Sequence, residues 1–145
     1  MTSYKNILTE PQKKSLIDLI KASELLTSCE IKIHLNDSCP GDVLTKACEL
    51  LVSLGLTKTK ARNGIILYLV VKDKKFAIAG DEGIYAKLPH EFWTQTSDHS
   101  ITYFKDEKYF EGLKYSIESI TNILKGDFPV HANNENELSD EISYE

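Results

Sequence analysis

The 145-residue chain predicts a single α/β domain in which a small mixed β-sheet lies between helices. Three observations lead there. "CEIKIHLN", residues 29–36, alternates apolar and polar positions, the period of a strand with one better-buried face. "IILYLVV", residues 65–71, is apolar throughout, as a central strand buried on both faces requires. Between them Leu44, Ala47, Cys48 and Leu51 recur at helical spacing. Strand, helix, strand gives a parallel pair with a right-handed crossover.

The other elements follow in order. Thr9 and Gln12 read as a capping box with Pro11 tolerated in the first turn, so a helix starts there. Leu16, Ile17, Leu19, Ile20, Leu25 and Leu26 form its apolar side, through residue 27. "NDSCPGD" supplies turn residues, Asp42 caps the second helix and Gly55 stops it. The polar break "KDKK" precedes "FAIAG", which predicts an antiparallel hairpin with the preceding strand. Pro89 opens a helical stretch carrying Phe92 and Trp93 that breaks near "SDHS"; "ITYFKDE" is open between loop, strand and helix start. From Lys108 a long helix follows, with Phe110, Leu113, Ile117, Ile120 and Leu124 on one stripe and Gly126 just past its end.

Charge divides the chain. The formal net charge is −5, yet residues 126–145 hold six acids and no base, whereas the residues before them hold 16 acids against 17 bases. A near-neutral body lacks the concentrated basic surface that nucleic acid requires, so no nucleic-acid partner is expected. Residues 1–129 form the predicted domain. Residues 130–145 read as an acidic, loosely ordered tail, a peptide for a protein partner or for its own domain. No apolar stretch is long enough for direct membrane insertion and the polar start lacks a signal-peptide core, so a cytoplasmic address is expected. Cys29, Cys39 and Cys48 lack metal or disulfide spacing. Cys29 and Cys48 fall on apolar faces and are expected to be buried, with Cys39 exposed in a loop.

"AIAGDEGIY", residues 77–85, carries the chemistry. Asp81 and Glu82 stand between Gly80 and Gly83 where the third strand ends. Topology brings that loop to the sheet edge at which the first two strands begin, beside Arg62-Asn63-Gly64. Asp81, Glu82, the Asn63 amide and nearby carbonyls are hard oxygen ligands, suited to calcium, with magnesium or manganese as alternatives. Arg62, with Lys58 and Lys60 nearby, is the candidate catalytic residue and a clamp for phosphate. The competing reading is a solvated turn in which Arg62 pairs with Asp81. His34, on the polar face of its strand, is read as solvated or capping, and His90 has no visible partner.

"EIKIHL", "KACELLVSLGLTKTKARNGIILYLVVKDKKFAIAGDEGIY" and "YFKDEKYFEGLKYSIESITNIL" together resemble the TPM domain family, over most of residues 9–129. That family is named for a thylakoid lumen phosphatase, a photosystem II protein and a nematode receptor modulator. The resemblance implies a three-layer α/β/α sandwich, divalent-metal binding in some members, and an acid phosphatase activity attributed to the thylakoid branch. Its polar positions fall on Asn63, Asp81, Glu82 and Asp106. Family members are typically exported or membrane-anchored, and this sequence shows neither feature. Two functions are expected: a calcium-binding accessory module, or a metal-assisted phosphatase in which Arg62 clamps phosphate and a metal-bound water attacks.

Overall fold

The computed structural model describes residues 3–60, 62–127 and 142–144. β1 (Glu30–Asn36) and β2 (Gly64–Val70) pair in parallel, Glu30 opposite Gly64 and Asn36 opposite Val70. β3 (Lys75–Gly80) returns antiparallel along β2, with Gly80 opposite Ile65. A fourth strand, β4 (Ser143–Tyr144), adds in parallel to the far side of β1, giving the order β3-β2-β1-β4. The sequence reading has no fourth strand, because two residues are too few to show a period. Residues 128–141 and 145, which include most of the predicted tail of 130–145, lie outside the described residues.

Helices cover both faces, so the fold is the three-layer α/β/α sandwich. α1 (Glu10–Leu26) starts with both halves of the Thr9–Gln12 capping box in place. α2 (Val43–Ser53) starts at Asp42, whose carboxylate accepts from the Thr45 N–H at 2.9 Å. α3 (Glu82–Tyr85) is a single turn after β3. α4 (His90–Lys105) runs unbroken through "SDHS" and most of "ITYFKDE", which corrects the predicted break. Ser100 is fully buried there, its hydroxyl within hydrogen-bonding distance of the Thr96 carbonyl (2.7 Å) and Ser116 Oγ (2.6 Å). Polar residues on this helix face α5 (Tyr109–Asp127), so the hydrophobic period is interrupted without the helix ending. α5 itself continues past Gly126.

The larger core joins Leu16 and Ile20 of α1, Trp93 and Phe104 of α4 and Leu113, Ile117, Ile120 and Leu124 of α5 to Ile31, Ile33 and Leu35 of β1. The smaller packs Ala47, Leu50 and Leu51 of α2 on Ile66, Tyr68 and Val70. No described helix is long and apolar enough to cross a membrane. Gly112 lets α5 cross over Phe104: a Cβ there would lie 2.9 Å from the ring's Cδ1 and Cζ.

Two cysteines exchange their expected roles. Cys39 is buried, because its loop folds onto the α2 core, and Cys48 is exposed, because α2 rests on the sheet through Ala47, Leu50 and Leu51. Cys29 is buried as read, and burial pushes its thiol up to about 12. His34 is buried rather than solvated, since β4 covers that edge of β1.

Candidate functional site

The edge where β1 and β2 begin and β3 ends gathers the predicted residues. The Asp81 N–H donates to the Gly64 carbonyl at 2.8 Å, extending the β2–β3 ladder by one bond. Asp81 then caps α3: its carboxylate accepts from the Glu82 N–H at 2.8 Å and its carbonyl accepts from Ile84 and Tyr85. The "GDEG" segment is therefore a strand end and a helix start. The Gly83 N–H donates to the Arg62 carbonyl at 2.8 Å, tying that start to the loop before β2.

Arg62 sits in the left-handed region, φ 53°, an uncommon conformation for a side chain other than asparagine or aspartate. Its guanidinium donates from Nε to Asp81 Oδ2 at 2.6 Å and from Nη2 to Asp81 Oδ1 at 2.9 Å. Nη1 donates to Glu82 Oε1 at 3.0 Å. Three carboxylate oxygens thus converge on one guanidinium. Hydrogen bonding to Asp81, followed by the charges of Asp81 and Glu82, raises the Arg62 pKa above its ordinary range. Asp81 is 5 % exposed, whereas Glu82 is 72 % and Arg62 41 % exposed, so a solute reaches the pair from the Glu82 side.

Asn63 lies beside this cluster in sequence, but its side chain serves another purpose. Its Oδ1 accepts from the Thr59 hydroxyl at 3.2 Å and its Nδ2 donates to the Ser28 carbonyl, while its own carbonyl accepts from the Glu30 N–H. The buried amide locks the loops before β1 and β2 together. Gly64 follows because a Cβ there would lie 2.5 Å from the Leu56 carbonyl oxygen. Lys58 and Lys60 are exposed beside this loop.

Asp106 is not brought to Asp81. It ends α4 beside Phe104, whose ring packs 5.0 Å from Phe76 at the start of β3, whereas Asp81 follows the end of that strand. Among the described residues, no group of three His, Cys, Asp or Glu could hold a metal ion.

His90, read as unpartnered, accepts or donates at both ring nitrogens: Nδ1 lies 2.6 Å from the Tyr85 hydroxyl and Nε2 3.3 Å from Thr94 Oγ1. Tyr85 stacks on Trp93 at 5.4 Å, and Trp93 Nε1 donates to the Tyr85 carbonyl. These side chains line a groove of about 160 Å³ with Leu44, Phe76, Ile78 and Asp98. The i, i+4 spacing of His90 and Thr94 was its one sequence signal.

The comparisons agree with this architecture. The TPM domain model matches residues 1–123. The chain is similar to the NMR structure of the BA42 protein from the psychrophilic bacterium Bizionia argentinensis, with 32% identity, 100% of both chains covered and a TM-score of 0.90. The N-terminal domain of a protein from P. gingivalis shares the fold at 19% identity, covering 90% of this chain and 85% of that one, TM-score 0.75. The N-terminal domain of the cg2496 protein from Corynebacterium glutamicum does so at 18%, covering 83% and 76%, TM-score 0.61. No curated protein matches. With the family model spanning residues 1–123 and a relative aligned end to end, the chain belongs to the TPM domain family.

Proposed function

We propose that this TPM domain is a binding module that takes a divalent cation, calcium favoured over magnesium or manganese, at Asp81 and Glu82. The observation that carries the reading is the convergence of three carboxylate oxygens on the Arg62 guanidinium. Two formal negative charges there meet one positive charge, and every converging ligand atom is a hard oxygen. The donor set suits a divalent ion that takes the place of the guanidinium. Asp81 and Glu82 would hold the ion, water and backbone carbonyls would complete its shell, and Arg62 would be released. The ion would supply positive charge that exchanges with solution.

The phosphatase reading needs Arg62 available to phosphate. Its fork is committed to carboxylates until an ion takes its place, so phosphate binding by Arg62 would follow cation binding, and hydrolysis becomes a consequence to test after it.

The test is a thermal melt of metal-stripped protein with and without calcium, run on the wild type, Asp81→Asn and Arg62→Gln. A cation at a hundred times its dissociation constant stabilises the native state by about 2.7 kcal/mol. Calcium is expected to raise the wild-type Tm, to act at lower concentration on Arg62→Gln, where the competing charge is gone, and to leave Asp81→Asn unmoved. Absence of a shift in both wild type and Arg62→Gln overturns the reading.

A further inference from the structure

β4 is a peptide docked on the edge of the sheet. It pairs with His34 and Leu35 of the seven-residue strand β1. Each of its neighbouring residues has a separate seat. Ile142 is buried in the larger core. Ser143 Oγ donates to the Ile33 carbonyl at 3.2 Å and lies 2.7 Å from His34 Nδ1. The Tyr144 ring packs 5.7 Å from that of Tyr4, and Lys13 Nζ stands 5.7 Å from its centroid. Ile142 and Tyr144 thus face α1 and Ser143 faces the other way, the alternation of a strand. A groove of about 420 Å³ continues from Ile142 and Tyr144 along α1, lined by Lys13, Lys14, Ile17 and Lys21. The docked residues leave that space unfilled.

We propose that the β1 edge and the adjoining α1 groove form a docking site for an extended segment of a partner protein, read as aliphatic, then serine or threonine, then aromatic. Ile142–Tyr144 occupies that site in cis as a tethered competitor. Strand addition supplies affinity through the backbone and specificity through alternate side chains. Glu10 and Asp18 pair with Lys13 and Lys14 at 3.2 and 2.9 Å, which leaves Lys21 as the surplus positive charge of the groove, so an acidic residue ahead of the triplet favours docking. Asp140 and Glu141 stand in that place in this chain. Covalent attachment gives a segment an effective concentration on the order of millimolar. A free segment of equal intrinsic affinity therefore displaces it near that concentration, and one forming a longer ladder does so below it.

The probe is a fluorescent peptide of residues 138–145, LSDEISYE, added to the full chain and to the full chain carrying Ile142→Asp, which unseats the competitor. The variant is expected to bind the probe at least tenfold more tightly than the wild type, and LSDESIYE, with the apolar and hydroxyl positions exchanged, is expected to bind neither. Equal affinity for the two proteins, or for the two peptides, overturns the proposal. Because Ile142→Asp alters a buried position, the wild-type chain is also titrated with unlabelled peptide by NMR. The chain's own amides of Ile142, Ser143 and Tyr144 are expected to move toward free-peptide positions by about 5 mM, above the effective concentration of the tether, because the identical probe then holds their seats. No shift at those amides overturns it as well.

Discussion

Arg62 presents Nε and one Nη side by side to the two oxygens of Asp81, at 2.6 and 2.9 Å. The same carboxylate accepts from the Glu82 backbone, so a single side chain joins the loop before β2 to the first turn of α3. Losing Asp81 removes the cap and leaves Arg62 with Glu82 alone; losing Arg62 leaves the cap intact. Asp81→Ala is therefore expected to destabilise the chain by about 1–3 kcal/mol, and by more than Arg62→Ala does. Urea denaturation of both variants checks the ranking, and the reverse order would show that the cap contributes little.

Gly112 is helical, and alanine is the better helix former, yet Gly112→Ala is expected to destabilise. The added methyl enters the space of the fully buried Phe104 ring, which is also held against Phe76 and Tyr109. Overpacking of this kind costs roughly 1–3 kcal/mol. A companion Gly112→Ala, Phe104→Leu variant should recover part of the loss in the same denaturation assay.

Thiol labelling separates the three cysteines. Cys48 is exposed, while Cys39 and Cys29 are buried. Partial desolvation against the helix surface, followed by the charge of Asp42, raises the thiol pKa of Cys48, so reaction is expected to be slow at pH 7 and to quicken as pH rises, with one thiol labelled per native chain. Cys48→Ser should abolish native labelling. Rapid reaction of Cys29, whose thiol is pushed up to about 12, would contradict the packing of β1 against the core.

Asp42 supplies the pH-dependent prediction. Backbone and then side-chain hydrogen bonds from Thr45 hold its carboxyl below the ordinary range. A carboxyl depressed on folding stabilises above its unfolded pKa, about 3.9, and loses that contribution as pH falls through the lower folded value. The stability gap between wild type and Asp42→Ala is expected to be full at pH 6 and to shrink below about pH 3.9. A gap that is constant across that interval would mean that the ionised cap does not matter.

These residues show what a sequence discloses. Local signals survived folding intact: the Thr9–Gln12 box, the Asp42 cap and the apolar run of β2 each depend on neighbours along the chain, whereas the alternation of β1 gave the strand but not its burial, since His34 and Asn36 on its polar side are buried as well. Topology made it legible that Arg62, Asp81 and Glu82 meet at one sheet edge, but the pairing of Arg62 with Asp81 stood only as the competing reading to a phosphate clamp, and its bond to Glu82 was not read. Contacts between distant elements were not legible. Ser100 looks like a helix breaker until Ser116 is placed opposite it, and His34 looks solvated until Ser143 arrives. Asn63 has the chemistry of a ligand, but Thr59 and the Ser28 carbonyl claim its amide. Asp106 has the same chemistry and stands at the wrong end of β3.

Ser143 is separated from His34 by 109 residues along the chain. The ribosome delivers them in that order, at about 5–20 residues per second, so β1 emerges roughly 5–20 s before the strand that seals its flank. Late in that interval, once α5 has emerged, the nascent domain can bury its helices and join β1 to β2 while one aliphatic strand still offers backbone groups to any passing chain. A messenger cut short before Ile142 makes that interval permanent. Its product would be recognised in the cell by deposition in inclusion bodies, beyond the lowered melting point that loss of the buried Ile142 brings.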